Sequence, residues 1–163
     1  MPEPGPPFFS LDTSCLMNAW NKNYQIDMFP SIWEHITDLM EKQIAVATIQ
    51  VFYEIERQDD VFHEWCKERK ELFTDIDEAI LDHLPRLMKK YPRIAAKGSD
   101  RNMADPWVIA LAQCYNPMLA VVTEEGNSRN PNNPKIPLIC DLEKIRPVNF
   151  NRLLRETKWR ERQ

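Results

Sequence analysis

The chain predicts a single α/β domain on a mostly parallel sheet of four to five short strands, and two observations carry that expectation. The first is the stretch from Met103 to Gly126, MADPWVIALAQCYNPMLAVVTEEG, in which a helical pattern feeds directly into a strand. Asp105 reads as a helix N-cap and Pro106 as the first helical residue, where a missing N–H costs nothing. Val108, Ile109, Leu111, Ala112 and Tyr115 give an apolar face at helical spacing, and Asn116-Pro117 stops it. Met118 to Val122 is then a short, wholly apolar run, as a strand buried on both faces requires. The second observation is recurrence: Phe8 to Asp12 and Ile44 to Thr48 are similar short runs that also hand over to helical patterns. Helices alternating with buried strands build parallel sheets, and sites form at the carboxyl ends of such strands. Thr123-Glu124-Glu125 follows one of those ends.

The bulk properties agree with one globular unit. At 163 residues the chain is one domain's worth, read as a loose, proline-rich lead-in over 1–7 and a domain over 8–163. Hydrophobic residues at 43% and charged residues at 28% argue against wholesale disorder. With three glycines and neither GxGxxG nor GxxxxGK, no nucleotide cofactor is expected. Cys15, Cys66, Cys114 and Cys140 are scattered without a CxxC pair, which predicts buried free thiols and a reducing compartment. No signal-like start or membrane-length apolar run is present, so no membrane association and a cytoplasmic location are expected. Acids dominate Glu54 to Asp82, whereas bases dominate Arg86 to Arg101 and Lys144 to Arg162. That segregation suits either solvated helix faces or a metal-holding cleft beside a phosphate-binding surface.

In chain order, Phe8 to Asp12 is the first strand, with Thr13 and Ser14 able to cap a helix through Asn18 and Trp20. Asp12 then stands either as a cap or as an acid delivered to the strand's carboxyl end. Phe29-Pro30-Ser31 opens an amphipathic helix through Ile32, Trp33, Ile36, Leu39 and Met40. Ile44 to Thr48 is the second strand, and the helix after it carries Glu54 in its second turn, as a solvated face residue or a site acid. Asp59 to Phe73 and Asp75 to Tyr91 read as helices, the latter kinked or split at Pro85. Pro92 to Met103 is a basic connection in which Asp100 reads as a turn former. Asn127 to Pro134 predicts a surface loop. Ile136 to Cys140 is expected as a strand, Asp141 to Ile145 as a helical turn, Pro147 to Phe150 as the last strand and Asn151 to Trp159 as a basic final helix.

Several chemistries are unsupported. His35, His63 and His83 lack any paired metal-ligand spacing, and there is no GxSxG. What remains is carboxylates at strand ends and helix starts: Asp12, Glu54, Asp105 and Glu125, with Glu124 adjacent. Oxygen ligands without histidine or cysteine suit hard cations such as Mg²⁺ or Mn²⁺, which engage phosphate oxygens.

On these residues the sequence resembles a known family. FSLDTSCL with Asp12, IAVATIQVFYEIER with Glu54, ADPWVIALA with Asp105 and AVVTEEG with Thr123 and Glu125 are similar to the four acidic motifs of PIN-domain nucleases, the fold of VapC-type toxins. The match spans about residues 8 to 154, and DPW and TEE suggest a divergent branch. The family pattern has aspartate where Glu125 stands, so Glu124 is a possible substitute ligand.

The resemblance implies a three-layer α/β/α fold and metal-dependent hydrolysis of RNA. Asp12 and Asp105 would be direct ligands of Mg²⁺ or Mn²⁺. Glu54 would hold the metal directly or through water, Glu125 would bind a second metal or orient the attacking water, and the Thr123 hydroxyl would orient a carboxylate. Lys89, Lys90, Arg93, Lys97 and Arg101 are candidates for RNA phosphates. The resemblance also implies a toxin held by an antitoxin-like protein partner, with possible homodimerisation. Trp33, Trp65, Trp107 and above all Trp159 are aromatics in excess of one small core, as interfaces use them. The alternative is a catalytically inactive module that binds RNA or protein.

Overall fold

The computed structural model describes residues 8–94, 103–126 and 130–160. The lead-in over 1–7, Lys97, Asp100, Arg101 and residues 127–129 of the asparagine-rich loop lie outside the described residues.

Four short strands form one parallel sheet in the order β2-β1-β3-β4: β1 Phe9–Leu11, β2 Ala45–Val46, β3 Ala120–Val122 and β4 Pro147–Val148. Phe9 pairs with Ala45 on one side and with Ala120 on the other, and Val121 pairs with Pro147. β1 and β3 are buried along their whole length. That is why their sequences are continuous apolar runs rather than alternating ones.

Helices flank the sheet in a three-layer α/β/α arrangement. α1 (Thr13–Asn18) runs into a π-helical turn over Ala19–Asn23, and α2 (Pro30–Glu41) returns the chain to β2. α3 (Ile49–Gln58), α4 (Asp60–Lys67), α5 (Glu78–Lys90) and α6 (Asp105–Gln113) lie between β2 and β3. α7 (Ile136–Leu142) precedes β4, and α8 (Phe150–Glu156) follows it. Crossovers that run in opposite directions, right-handed as such connections are, put α2 on one face of the sheet and α6 and α7 on the other, and α8 packs beside α2. Trp33 of α2 accordingly meets Phe150 of α8 at 6.3 Å between ring centroids.

The structure corrects several expectations. Ile136 to Cys140 is not a strand but the body of α7, because Ile136, Ile139 and Cys140 are buried at i, i+3, i+4 spacing and Pro137 sits in its first turn. The Asp59 to Phe73 pattern divides: Asp59 caps α4 through the Phe62 N–H (3.0 Å), and a 3-10 turn at Lys70–Leu72 follows. α5 begins only at Glu78, capped by Asp77, and continues through exposed Pro85 without splitting. α8 ends at Glu156 rather than reaching Trp159.

Much of the aromatic content packs within the fold. Trp20 stacks on Phe62 at 4.6 Å and Trp33 meets Trp65 edge-on at 5.2 Å, with Trp33 fully buried. Trp107 and Trp159 are half-buried and pack against the same core. Cys15, Cys66 and Cys140 are buried and Cys114 half-buried, all as free thiols. Burial raises the Cys66 thiol to about 12, which keeps it protonated and inert. Among the described residues no helix is long and apolar enough to cross a membrane.

Candidate metal centre

The strand order contains one reversal. From β1 the chain moves outward to β2, then crosses back to β3 on the other side of β1, so a crevice opens at the carboxyl ends of β1 and β3. β1 delivers Asp12 there, and β3 delivers Thr123, Glu124 and Glu125.

Carboxylate oxygens of Asp12, Asp105 and Glu125 lie within 4.8 Å of one another. Asp12 is 1% and Asp105 4% exposed, and Glu125 is half-buried. Asp12 sits at the N-cap position of α1 but makes no cap bond. Its Oδ2 accepts instead from the Ser14 hydroxyl (2.5 Å) and the Thr123 hydroxyl (2.9 Å). Asp105 corrects the sequence reading: Ala104 occupies the cap position and Asp105 is the first helical residue, with no side-chain cap bond. Its carboxylate is therefore spared for the crevice.

The electrostatics record what this crowding costs. Burial, then the charge of Glu125, pushes the Asp12 carboxyl from 3.8 up to about 7, against the opposing Ser14 and Thr123 bonds. Burial likewise drives Asp105 well above the carboxylate range, with Asp12, Glu125 and Glu54 adding to the effect and Lys135 opposing it.

Glu54 is 4% exposed and stands beside the cluster rather than within its 4.8 Å group. Its Oε2 accepts from the Ala104 N–H (2.7 Å), which fixes the start of α6, and its Oε1 accepts from Gln58 (3.3 Å). The two glutamates after β3 separate. Glu124 turns away to accept from the Phe150 N–H at the start of α8 (2.8 Å), whereas Glu125 stays with the cluster and accepts from the Ile136 N–H of α7 (2.8 Å). Three helix starts thus end on these acids, where each carboxylate meets unbonded N–H groups and the positive end of the dipole. Among the candidate phosphate-binding bases, Lys90 is already paired with Glu143 at 2.9 Å, and Lys89 and Arg93 are exposed.

Asp12, Glu54 and Glu125 share a cavity of about 470 Å³ with a wall that sequence reasoning missed. Ser14, Met17, Asn18, Asn21 and Lys22 line it from α1 and its π-helical extension. Their i, i+3, i+4, i+7, i+8 spacing was available in the sequence as a stripe, polar but for Met17, opposite the buried Cys15, Leu16 and Ala19. Thr13 also lines the cavity, and its buried Oγ1 has no hydrogen-bond partner among the described residues.

The family model described as "Domain of unknown function (DUF4411)" matches residues 9–161. The chain belongs to the DUF4411 family. No curated protein and no solved structure matches it. Every acid of the cluster lies inside the DUF4411 match.

The donor set of this DUF4411 chain fits a hard divalent cation. Among the described residues only oxygen ligands converge, two of them on buried carboxyls that are unfavourable to ionise without a counter-charge. Among the described residues no thiol joins the converging ligand atoms, and burial raises Cys15 and Cys140 above the usual thiol range.

Proposed function

We propose that this chain is a divalent-metal-dependent ribonuclease, hydrolysing RNA phosphodiesters as the PIN-domain nucleases it resembles do. The observation that carries the reading is the convergence of Asp12, Asp105 and Glu125 within 4.8 Å at the sheet's reversal point. Surface acids repel one another apart, so three held together at this depth call for a cation. Asp12, Asp105 and Glu125 would hold Mg²⁺ or Mn²⁺. When bound, such an ion supplies an acidified water and offsets the charge that develops on the phosphate.

The chain's own residues do the remaining work. Ser14 and Thr123 both bond Oδ2 of Asp12, which fixes the carboxylate's orientation while leaving Oδ1 for the ion. Glu54, lining the same cavity, orients the attacking water and receives its proton. The water oxygen bonds to phosphorus as one P–O ester bond breaks, and the departing ribose oxygen takes up a proton, so the step is hydrolytic with no redox change.

The test is cleavage of a labelled single-stranded RNA with Mn²⁺. The expected outcome is cleavage that EDTA abolishes and that a folded Asp105→Asn protein lacks. Full activity in Asp105→Asn overturns the proposal. A second reading, an inactive RNA- or protein-binding module, draws on one observation: Glu54 and Glu125 each already accept a backbone N–H. RNA binding without cleavage at any Mn²⁺ concentration would favour it. The role as the toxin of a toxin–antitoxin pair rests on the resemblance, and co-purification with the product of the adjacent gene tests it.

A further inference from the structure

The cavity beside the acids is walled by a single continuous helical stripe. Ser14, Met17, Asn18, Asn21 and Lys22 face it, while Cys15, Leu16 and Ala19 on the other side of the same segment are buried in the core. The stripe continues without interruption from α1 into the π-helical turn over Ala19–Asn23, a winding that is rare and recurs at functional sites. Ser14 belongs to the catalytic end, through its bond to Asp12. Lys22 stands two helical turns further along, at the other end of the stripe.

Between them, the Asn21 amide nitrogen and Asn18 Oδ1 already have partners in the protein. The Asn21 amide donates to the Met17 carbonyl (3.0 Å) and to Asp59 (3.0 Å), and Asn18 Oδ1 accepts from Asn23 (2.9 Å). Lys22 is different: it is exposed, and its ammonium makes no hydrogen bond or ion pair among the described residues. It is also the one cation among the described residues that lines this cavity, whose other charged walls are Asp12, Glu54 and Glu125.

Resting on the ribonuclease reading, we infer that Lys22 binds a phosphate of the RNA strand that flanks the scissile one, so that the α1 stripe is the track along which single-stranded RNA enters. A polyanion approaching a cavity with three acidic walls is repelled unless a cation meets it. A lysine at the far end of the wall supplies that attraction as a point charge without neutralising the carboxylates needed at the centre. Lys22 therefore sets substrate position and contributes to binding rather than to the chemical step.

The test is fluorescence anisotropy of a labelled single-stranded RNA in the Asp105→Asn background, with and without Lys22→Ala, across a series of salt concentrations. Loss of one phosphate contact should weaken binding about tenfold and lower the slope of log affinity against log salt by about 0.7. Lys22→Arg should restore both, and Lys22→Gln neither. In cleavage by the otherwise wild-type chain, Lys22→Ala should raise KM and leave kcat nearly unchanged. Unchanged affinity and salt slope overturn the inference, as does a parent protein that fails to bind the probe at low salt. The two readings fail separately. Cleavage by a wild-type chain indifferent to Lys22 removes the phosphate contact and keeps the nuclease, whereas Lys22-dependent binding without wild-type cleavage removes the nuclease and keeps the contact.

Discussion

Two groups of buried carboxylates in this molecule have met opposite fates. Glu143, at the end of α7, has a side chain only 5% exposed, yet it is matched from every side: Arg86 at 2.8 Å, Lys90 at 2.9 Å, the Tyr91 hydroxyl at 3.2 Å and Gln113 at 3.3 Å. Burial alone would raise its pKa, but the bonds from Lys90 and Arg86 outweigh it and bring the carboxyl down to about 2. Asp12 and Asp105 are as deeply buried but face other acids, and both are raised. The first group is a finished clamp joining α5, α6 and α7. The second is a set of charges whose partner has to come from outside, and that asymmetry separates a structural carboxylate from a site.

The largest expected break in the comparison comes from neutralising one member of each group in metal-free protein. Asp105→Asn removes a carboxyl whose ionisation folding disfavours, so it should stabilise the metal-free chain at pH 7.5. The thermal midpoint in EDTA would rise by several degrees; a fall would place Asp105 with the clamps. Glu143→Gln should do the reverse. It strands Arg86 and Lys90, but both are half-exposed and rehydrate, so the loss should be about 1–2 kcal/mol by urea unfolding.

The two groups also respond oppositely to pH. The folded-state pKa of Asp12 lies above its unfolded value, so its contribution is intact below about pH 4 and is lost as pH rises toward 7. Glu143 is depressed, so its contribution is present above pH 4.5 and is lost as pH falls toward 2. In EDTA the thermal midpoint should therefore decline from pH 4.5 to 7.5, and Asp12→Asn should flatten that decline. An equal decline in Asp12→Asn would contradict the origin assigned to it. The smallest effect is expected for Lys90→Ala, whose urea midpoint should stay close to that of wild type, because the ammonium is exposed to solvent and Arg86 remains on Glu143.

Much of this was legible in the sequence. The continuous apolar runs around Phe9–Leu11 and Ala120–Val122 marked strands buried on both faces, and the acids that follow them were bound to reach the same end of a parallel sheet. The fate of Ile136 to Cys140 was harder to read, because five apolar residues satisfy a strand and a helix equally until it is known that only one side is covered. Asp105 before a proline looked like a cap, since the one-residue offset that frees its carboxylate depends on Glu54 taking the Ala104 N–H from a distant helix. The same long-range bonding divided Glu124 from Glu125, which no local pattern distinguishes. The α1 stripe was visible as spacing, but its importance lay in facing a cavity that exists only once Asp12, Glu54 and Glu125 have been brought together.

The most direct measurement is titration of Mn²⁺ into the metal-free chain by electron paramagnetic resonance, comparing wild type, Asp12→Asn and Glu143→Gln and accompanied by the thermal midpoint at each point. Because binding to the folded state alone stabilises it by about 2.7 kcal/mol at a hundredfold excess over Kd, the midpoint of wild type and Glu143→Gln should climb together as the ion is taken up. Asp12→Asn should lose most of both signals. Equal Mn²⁺ uptake and an equal thermal shift in Asp12→Asn would contradict the account, because the ion would then be bound somewhere other than the crevice between β1 and β3.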